Sequence, residues 1–149
     1  MDKELRERYS QISKLQTNLA SIRKIAGWTA EVLGNKIGVT KQTISNLENN
    51  KTPMNFTQYI AIRAVLDVEI ENSHDNEVLA RVVTILLDSE DTLEEIEYQE
   101  VQKSVETVAA TAVGGITGAT LLGVLGALSP IALTLFSSKT AKNWKKLLK

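Results

Sequence analysis

Short helical segments separated by glycine, threonine and proline are the feature that most constrains the fold of this 149-residue chain. Gly27 and Gly38 can each end a helix, because glycine adopts the left-handed backbone conformation without a steric penalty. Thr29 and Thr40 can each cap the helix that follows, because a threonine hydroxyl accepts a hydrogen bond from an otherwise unpaired backbone amide. Pro53 then interrupts the periodic pattern. The segment therefore predicts two short helices joined by a tight turn.

Apolar spacing predicts further helices on both sides of this segment. Apolar residues recur three and four positions apart over Lys3–Ala26, which predicts a long first helix. A fourth helix is expected to begin at Asn55 or Thr57, and a strongly apolar fifth helix covers residues 73–88. An acidic helix follows from near Asp91. Because aromatic residues make up only 5% of the chain and prolines number two, the expected fold class is all-α.

The helix over residues 73–88 carries more apolar side chains than one buried face requires. Burial against a partner subunit would account for the excess. We therefore expect a homo-oligomer, a dimer or larger, in which this helix forms the contact. The residues expected at that contact are Val78, Val82 and Ile85.

The composition excludes several classes of chemistry. The chain has no cysteine, which rules out disulfides and thiolate metal sites. Its single histidine, His74, leaves no second imidazole for a histidine-rich metal site. The acidic stretch contains no EF-hand pattern. We therefore expect no catalytic residues, no metal and no cofactor, and an N-terminus without an apolar signal segment favours the cytoplasm.

Charge is distributed unevenly, although the net charge is only −1. Residues 1–60 carry nine Lys and Arg against five Asp and Glu, and residues 61–106 carry three against thirteen. Residues 107–149 carry five lysines and no acidic residue. This segregation indicates separate functional regions along the chain.

One ordered string carries a family resemblance. Residues 22–51 read IRKIAGWTAEVLGNKIGVTKQTISNLENNK and precede Pro53. They resemble the XRE/Cro-like family of helix-turn-helix DNA-binding domains, which implies a lambda-repressor-like fold and double-stranded DNA as the partner. Gly34 supplies the small residue needed where two crossing helices meet. Ala30 departs from the family pattern, which often has a phosphate-binding glutamine there, and this implies a thinner contact network.

The resemblance places the helix after Thr40 in the major groove. Glutamine and asparagine can pair with adenine there, and lysine with guanine. The residues expected to contact bases are Lys41, Gln42, Thr43 and Asn46. The residues expected to contact phosphates are Thr29, Ser45, Asn49 and Lys51. Glu48 would be repelled by phosphate and is expected to pair within the domain. The alternative is a helix-turn-helix that serves only as a protein–protein module.

The C-terminal part contains 32 consecutive residues without a charge, Thr107–Ser138. This length suffices for a membrane span, and its small residues at spacings of three and four favour close helix packing. A glycine-rich helix or hairpin is expected, either associated with a membrane or buried in a soluble oligomer. The residues expected to promote assembly are Gly114, Gly118, Gly123 and Gly126. Those expected at the membrane surface are Trp144, Lys145 and Lys146.

These observations divide the chain into three regions. Residues 1–70 are expected to form the helix-turn-helix domain, residues 71–106 an apolar and then acidic helical connector, and residues 107–149 the glycine-rich segment with a basic end. The predicted function is sequence-specific transcriptional regulation in the cytoplasm, with oligomerisation and attachment to the inner face of the membrane. The alternative is a membrane-active or self-assembling effector in which the helix-turn-helix is a regulatory module.

Overall fold

The computed structural model describes residues 2–73, 77–89, 94–111 and 143–149, and these ranges contain helices and turns without a strand. The elements are α1 (Lys3–Ile25), α2 (Ala30–Ile37), α3 (Lys41–Glu48), α4 (Phe56–Asn72), α5 (Glu77–Val83) with a π-helical turn (Thr84–Asp88), α6 (Glu95–Thr111) and a C-terminal 3₁₀ turn (Trp144–Leu148). The all-α prediction is confirmed over these ranges. His74 lies outside them.

The predicted caps and stops define the helix boundaries. Thr29 and Thr40 accept hydrogen bonds from the amides of Val32 and Thr43, each at 3.1 Å. Gly27 adopts a φ of +83° and follows Ala26, the residue that caps the end of α1. Of the two predicted start residues of α4, Asn55 is the one that caps the helix, and it forms a reciprocal capping box with Gln58.

Helix α1 lies at the centre of the described helices. Its residues Leu15, Leu19 and Ile22 are fully buried, and α1 contacts α3 and α4 as well as α5 and α6. The buried apolar residues form one cluster that reaches from Ile12 to Leu147. One buried core therefore extends across the described residues, with α1 in contact with each of these helices.

Polar side chains fix α6 against α1. Asn18 on α1 donates to the Tyr98 hydroxyl at 3.1 Å and accepts from Gln102 at 3.1 Å. The Tyr98 hydroxyl in turn donates to the Leu86 carbonyl at 2.8 Å. Burial raises the pKa of Tyr98 to about 12, so this hydroxyl keeps its proton and remains a donor at neutral pH.

The apolar side chains of α5 and the π-helical turn that exceed one helix face are buried by other helices of the same chain. Val78, Val82 and Ile85 are 3%, 1% and 0% exposed, and α5 contacts α1 and α4. The expectation that these residues meet a partner subunit is corrected, because they already form part of the intramolecular core. The sequence pattern showed that the helix is buried, but it did not show which chain buries it.

A buried ion pair joins α4 to the π-helical turn. Arg63 Nη2 lies 2.7 Å from Asp88 Oδ2, and the Arg63 side chain is almost wholly enclosed. Burial raises the pKa of the Asp88 carboxyl above its ordinary value of 3.8, an effect that the hydrogen bond and charge of Arg63 only partly offset. The pair therefore ties two helical segments together at an electrostatic cost.

The C-terminal 3₁₀ turn packs on the rest of the chain. The Trp144 indole is buried, donates to Asp67 Oδ2 at 2.9 Å and meets the Tyr59 ring edge-on at 6.0 Å. The expected membrane-surface role of Trp144 is therefore corrected, because its indole is enclosed by α4. Lys145 and Lys146 are exposed, and the Lys146 ammonium lies 3.0 Å from a Glu7 carboxylate oxygen.

The predicted assembly residues Gly114, Gly118, Gly123 and Gly126 lie outside the described residues. Among the helices within the described ranges, none combines the length and the apolar character that a membrane crossing requires.

Candidate nucleic-acid interface

Glycines set the junction between α2 and α3. A Cβ atom at Gly34 would lie 2.7 Å from the carbonyl oxygen of Val39, which is closer than real Cβ contacts come. Gly38 adopts a φ of +78° and ends α2, and the Val39 amide donates back to the Gly34 carbonyl at 2.9 Å. The predicted small residue and glycine turn are confirmed, and they allow α3 to follow α2 closely.

Buried apolar side chains determine which face of α3 points outward. Ile44 and Leu47 are fully buried, and Val39 packs against the core from the turn. Both α1 and α2 contact α3. Since the apolar side chains occupy the inner face of this short helix, its polar side chains remain on the opposite, accessible face.

Two of the predicted base-contacting residues are paired on that accessible face. Gln42 Nε2 donates to Asn46 Oδ1 at 2.9 Å, one helical turn away. The bond leaves Gln42 Oε1 as an acceptor and Asn46 Nδ2 as a donor. An acceptor beside a donor is the arrangement that pairs with the amino group and N7 of adenine.

The other two predicted base-contacting residues lie in the first turn of α3. Lys41 is exposed and is the first residue of the helix. Thr43 is half-buried, and its hydroxyl lies 2.9 Å from that of Thr40. The Thr43 hydroxyl therefore already contributes to the cap, whereas the Lys41 side chain is exposed at the N-terminal end of the helix.

The predicted phosphate-contacting residues do not form one cluster. Asn49 Nδ2 donates to the carbonyl and the hydroxyl oxygen of Ser45, at 3.0 and 3.3 Å, so these two residues are adjacent. Thr29 lies at the start of α2, where its hydroxyl is occupied as the cap. Lys51 is exposed in the loop after α3. Three separate positions around α3 therefore carry these residues.

The end of α3 is closed by a Schellman motif. Asn50 adopts a φ of +56°, the Lys51 amide donates to the Asn46 carbonyl at 2.9 Å, and the Asn50 amide donates to the Leu47 carbonyl at 3.3 Å. Asparagine tolerates this left-handed conformation better than most residues. The motif fixes the backbone of Lys51 relative to α3.

Glu48 is neutralised within the domain, as the sequence predicted. Its two carboxylate oxygens accept from Arg23 Nε at 2.6 Å and Nη2 at 3.0 Å, a bidentate pair. Arg23 Nη1 also donates to the Trp28 carbonyl at 2.8 Å. This network connects α1 to the last turn of α3 and removes a negative charge from the accessible surface.

Sequence reasoning did not single out Gln16 on α1, whose side chain bonds to the end of α3 and to the loop after it. Its Nε2 donates to the carbonyls of Leu47 and Thr52 at 3.0 and 2.8 Å, and its Oε1 accepts from the Met54 amide at 2.9 Å. In the sequence Gln16 is an ordinary polar residue of an amphipathic helix. No local signal marks it, because its partners lie more than 30 positions further along.

The short paired helices and the polar outer face of α3 together define a helix-turn-helix. Comparison with known families supports this directly: residues 19–72 match the family model HTH_3, described as helix-turn-helix. The predicted XRE and lambda-repressor-like helix-turn-helix in the N-terminal region is therefore confirmed. Comparisons with curated proteins and with solved structures found no match.

Proposed function

We propose that this protein is a sequence-specific DNA-binding transcriptional regulator in which α3 lies in the major groove. The observation that carries the proposal is the Gln42–Asn46 pair on the accessible face of a helix whose inner face is locked by Ile44 and Leu47. A rigid helix with preorganised hydrogen-bonding groups can distinguish base pairs in the major groove.

The roles of the side chains follow from their positions. Gln42 and Asn46 together would bond one adenine, or two neighbouring bases after their mutual bond opens. Lys41 would donate to a guanine or an adjacent phosphate, and Thr43 would contact a base edge or a thymine methyl group. As a regulator, the bound protein would compete with RNA polymerase for its site.

Backbone contacts would position the domain without reading sequence. Lys51 and Asn49 at the end of α3 and Thr29 at the start of α2 are proposed to contact phosphates on either side of the groove, with Ser45 beside Asn49. The Ala30 position offers no side-chain donor. We therefore expect each domain to bind weakly and to depend on a second copy.

The three-region division also belongs to the proposal. Residues 1–70 bind DNA, residues 71–106 support the domain, and residues 107–149 promote assembly into a dimer or larger oligomer and attach it to the inner face of the cell membrane. The support for the last role is the 32-residue run without a charge and its small-residue spacing. In this proposal the protein is cytoplasmic.

Substitution of the paired side chains tests the proposal. Gln42→Ala combined with Asn46→Ala should reduce discrimination between a selected duplex and a mixed-sequence duplex by about 10- to 100-fold, because a bidentate contact is lost. Footprinting and titration measure the change.

The matched control is Gln99→Ala, since Gln99 also makes an exposed contact one turn away, to Glu95 on α6. This control should footprint like the parent. A double variant of Gln42 and Asn46 that kept the parent footprint would show that α3 does not read the bases.

A further inference from the structure

We propose that Gln16 is a positioning residue for DNA binding: its amide holds the loop after α3 so that Lys51 meets a phosphate while α3 occupies the groove. This inference rests on the proposed function. Gln16 lies on α1 and belongs to neither helix of the helix-turn-helix. It acts through the three hydrogen bonds that its side chain makes to residues 47–54.

The geometry uses the whole Gln16 amide. Both carbonyls that accept from Nε2 lie where regular helical bonding ends. The Leu47 carbonyl is in the last turn of α3 and also accepts from the Asn50 amide, and the Thr52 carbonyl is in the loop. The Met54 amide donates to Oε1. One planar side chain therefore connects the end of α3 to two points, Thr52 and Met54, in the loop that follows it.

Lys51 lies between these anchored points. On one side its own amide is bonded to the Asn46 carbonyl of α3, and on the other side the Thr52 carbonyl is bonded to Gln16. Its side chain is exposed. The Lys51 backbone is held on both sides, so the point from which the side chain extends is fixed. This lowers the conformational entropy lost when the ammonium binds a phosphate.

The apolar anchors of this region do not depend on Gln16. Leu47 and Met54 are buried, and the Schellman motif closes α3 on its own. Loss of the Gln16 amide should therefore leave the domain folded, while it frees the Thr52 carbonyl and the Met54 amide directly after Lys51. This separates a positioning role from a purely structural one.

The test compares Gln16→Ala and Gln16→Glu with the exposed neighbour Thr17→Ala in the full chain. A glutamate keeps the acceptor for the Met54 amide but cannot donate to the two carbonyls. The probe is the tightest-binding duplex selected from a randomised library, titrated over a range of salt at a temperature where circular dichroism shows every variant folded.

We expect both Gln16 variants to lose about tenfold in affinity, the effect of one to two hydrogen bonds, and Thr17→Ala to bind like the parent. The slope of log affinity against log salt should fall by about one unit, as expected for one lost phosphate contact. Lys51→Ala should lower the slope equally, and adding Gln16→Ala to it should lower the slope no further.

Two results would overturn the inference. A Gln16→Ala variant with the parent affinity and salt slope would show that the loop needs no amide to position Lys51. Slopes that fell additively in the Gln16 and Lys51 double variant would show that the two residues act independently. A parent that bound no duplex at all would instead overturn the proposed function, and this inference with it.

Discussion

At the scale of single residues, Arg63 and Asp88 show how a buried charge makes the stability of the domain depend on pH. The folded state holds the pKa of Asp88 above 3.8, chiefly because burial penalises the carboxylate. The folded protein therefore binds this proton more tightly than the unfolded chain does. The stabilising contribution is fully present below the unfolded pKa and is lost as the pH rises through the folded pKa.

An asparagine substitution isolates this contribution. Asp88→Asn removes the titrating group and leaves the Arg63 guanidinium without its carboxylate, which should cost about 3 kcal/mol. The difference in unfolding free energy between parent and variant should be largest below the unfolded pKa of 3.8 and should narrow as the pH rises, because only the parent loses the proton-linked contribution. Urea unfolding at a series of pH values measures it. A gap that widened with rising pH would contradict the burial argument.

Residue types and spacing allowed some individual contacts to be predicted and not others. Thr29, Thr40 and Gly38 act within a few positions of themselves, so the sequence is enough to assign their roles. The bonding of Gln16 to residues 47–54 and the choice of Arg23 as the partner of Glu48 join distant parts of the chain. Such contacts require the packing of α1 on α3, which a one-dimensional pattern does not specify.

At the scale of helical elements, the C-terminal 3₁₀ turn shows why composition alone is ambiguous. Tryptophan and leucine among lysines predict a membrane surface, and the same residues also suit a short segment that docks on a helical domain. The structure resolves this ambiguity for Trp144: its indole packs against α4 and donates to Asp67, while Lys146 reaches Glu7 on α1. In this docked position the Trp144 and Leu147 side chains are buried, and Lys145 and Lys146 remain exposed to solvent.

Truncation of the indole tests this docking. Trp144→Ala should lower the free energy of unfolding by about 3 kcal/mol, because it removes a large buried side chain and its hydrogen bond. Leu148→Ala is the matched control, since Leu148 belongs to the same turn and is 49% exposed. Thermal and denaturant unfolding of the full chain provide the comparison. Equal stability of the two variants would show that the turn is not docked in solution.

The apolar faces of helix α5 show a second property that a sequence pattern leaves undetermined. Its pattern showed correctly that more than one face is apolar, but an amphipathicity analysis cannot distinguish burial by the same chain from burial by a second one. The central position of α1 supplies the missing surface, because α1 contacts α5 as well as α3. The locations of the helices were therefore predictable, whereas the partner of each apolar face was not.

At the scale of the whole molecule, two features must act together in the proposed regulator. The described helices form a domain in which the polar face of α3 is accessible, while the residues expected to assemble copies lie in the glycine-rich segment. A single domain with few phosphate contacts gains affinity when a second copy binds the same duplex, because the second binding event becomes intramolecular.

The mass of the purified full chain tests the assembly. We expect a dimer or larger species, and we expect Gly114→Ile combined with Gly118→Ile to dissociate it, because bulky side chains prevent close helix approach. Thr117→Ile serves as a control of similar bulk outside the pair. Light scattering with and without detergent reports the mass. A detergent-independent monomer for the parent would contradict both assembly and membrane attachment.

The central claim, that α3 reads bases in the major groove, is tested most directly by atom replacement in the DNA. Adenines in the selected duplex are exchanged one at a time for 7-deazaadenine, which lacks the N7 acceptor in the major groove. We predict that one or two positions lose about tenfold in affinity, and that this loss disappears in the Gln42 and Asn46 double alanine variant. Full affinity at every substituted adenine, or an equal loss in the double variant, would contradict adenine recognition by this pair.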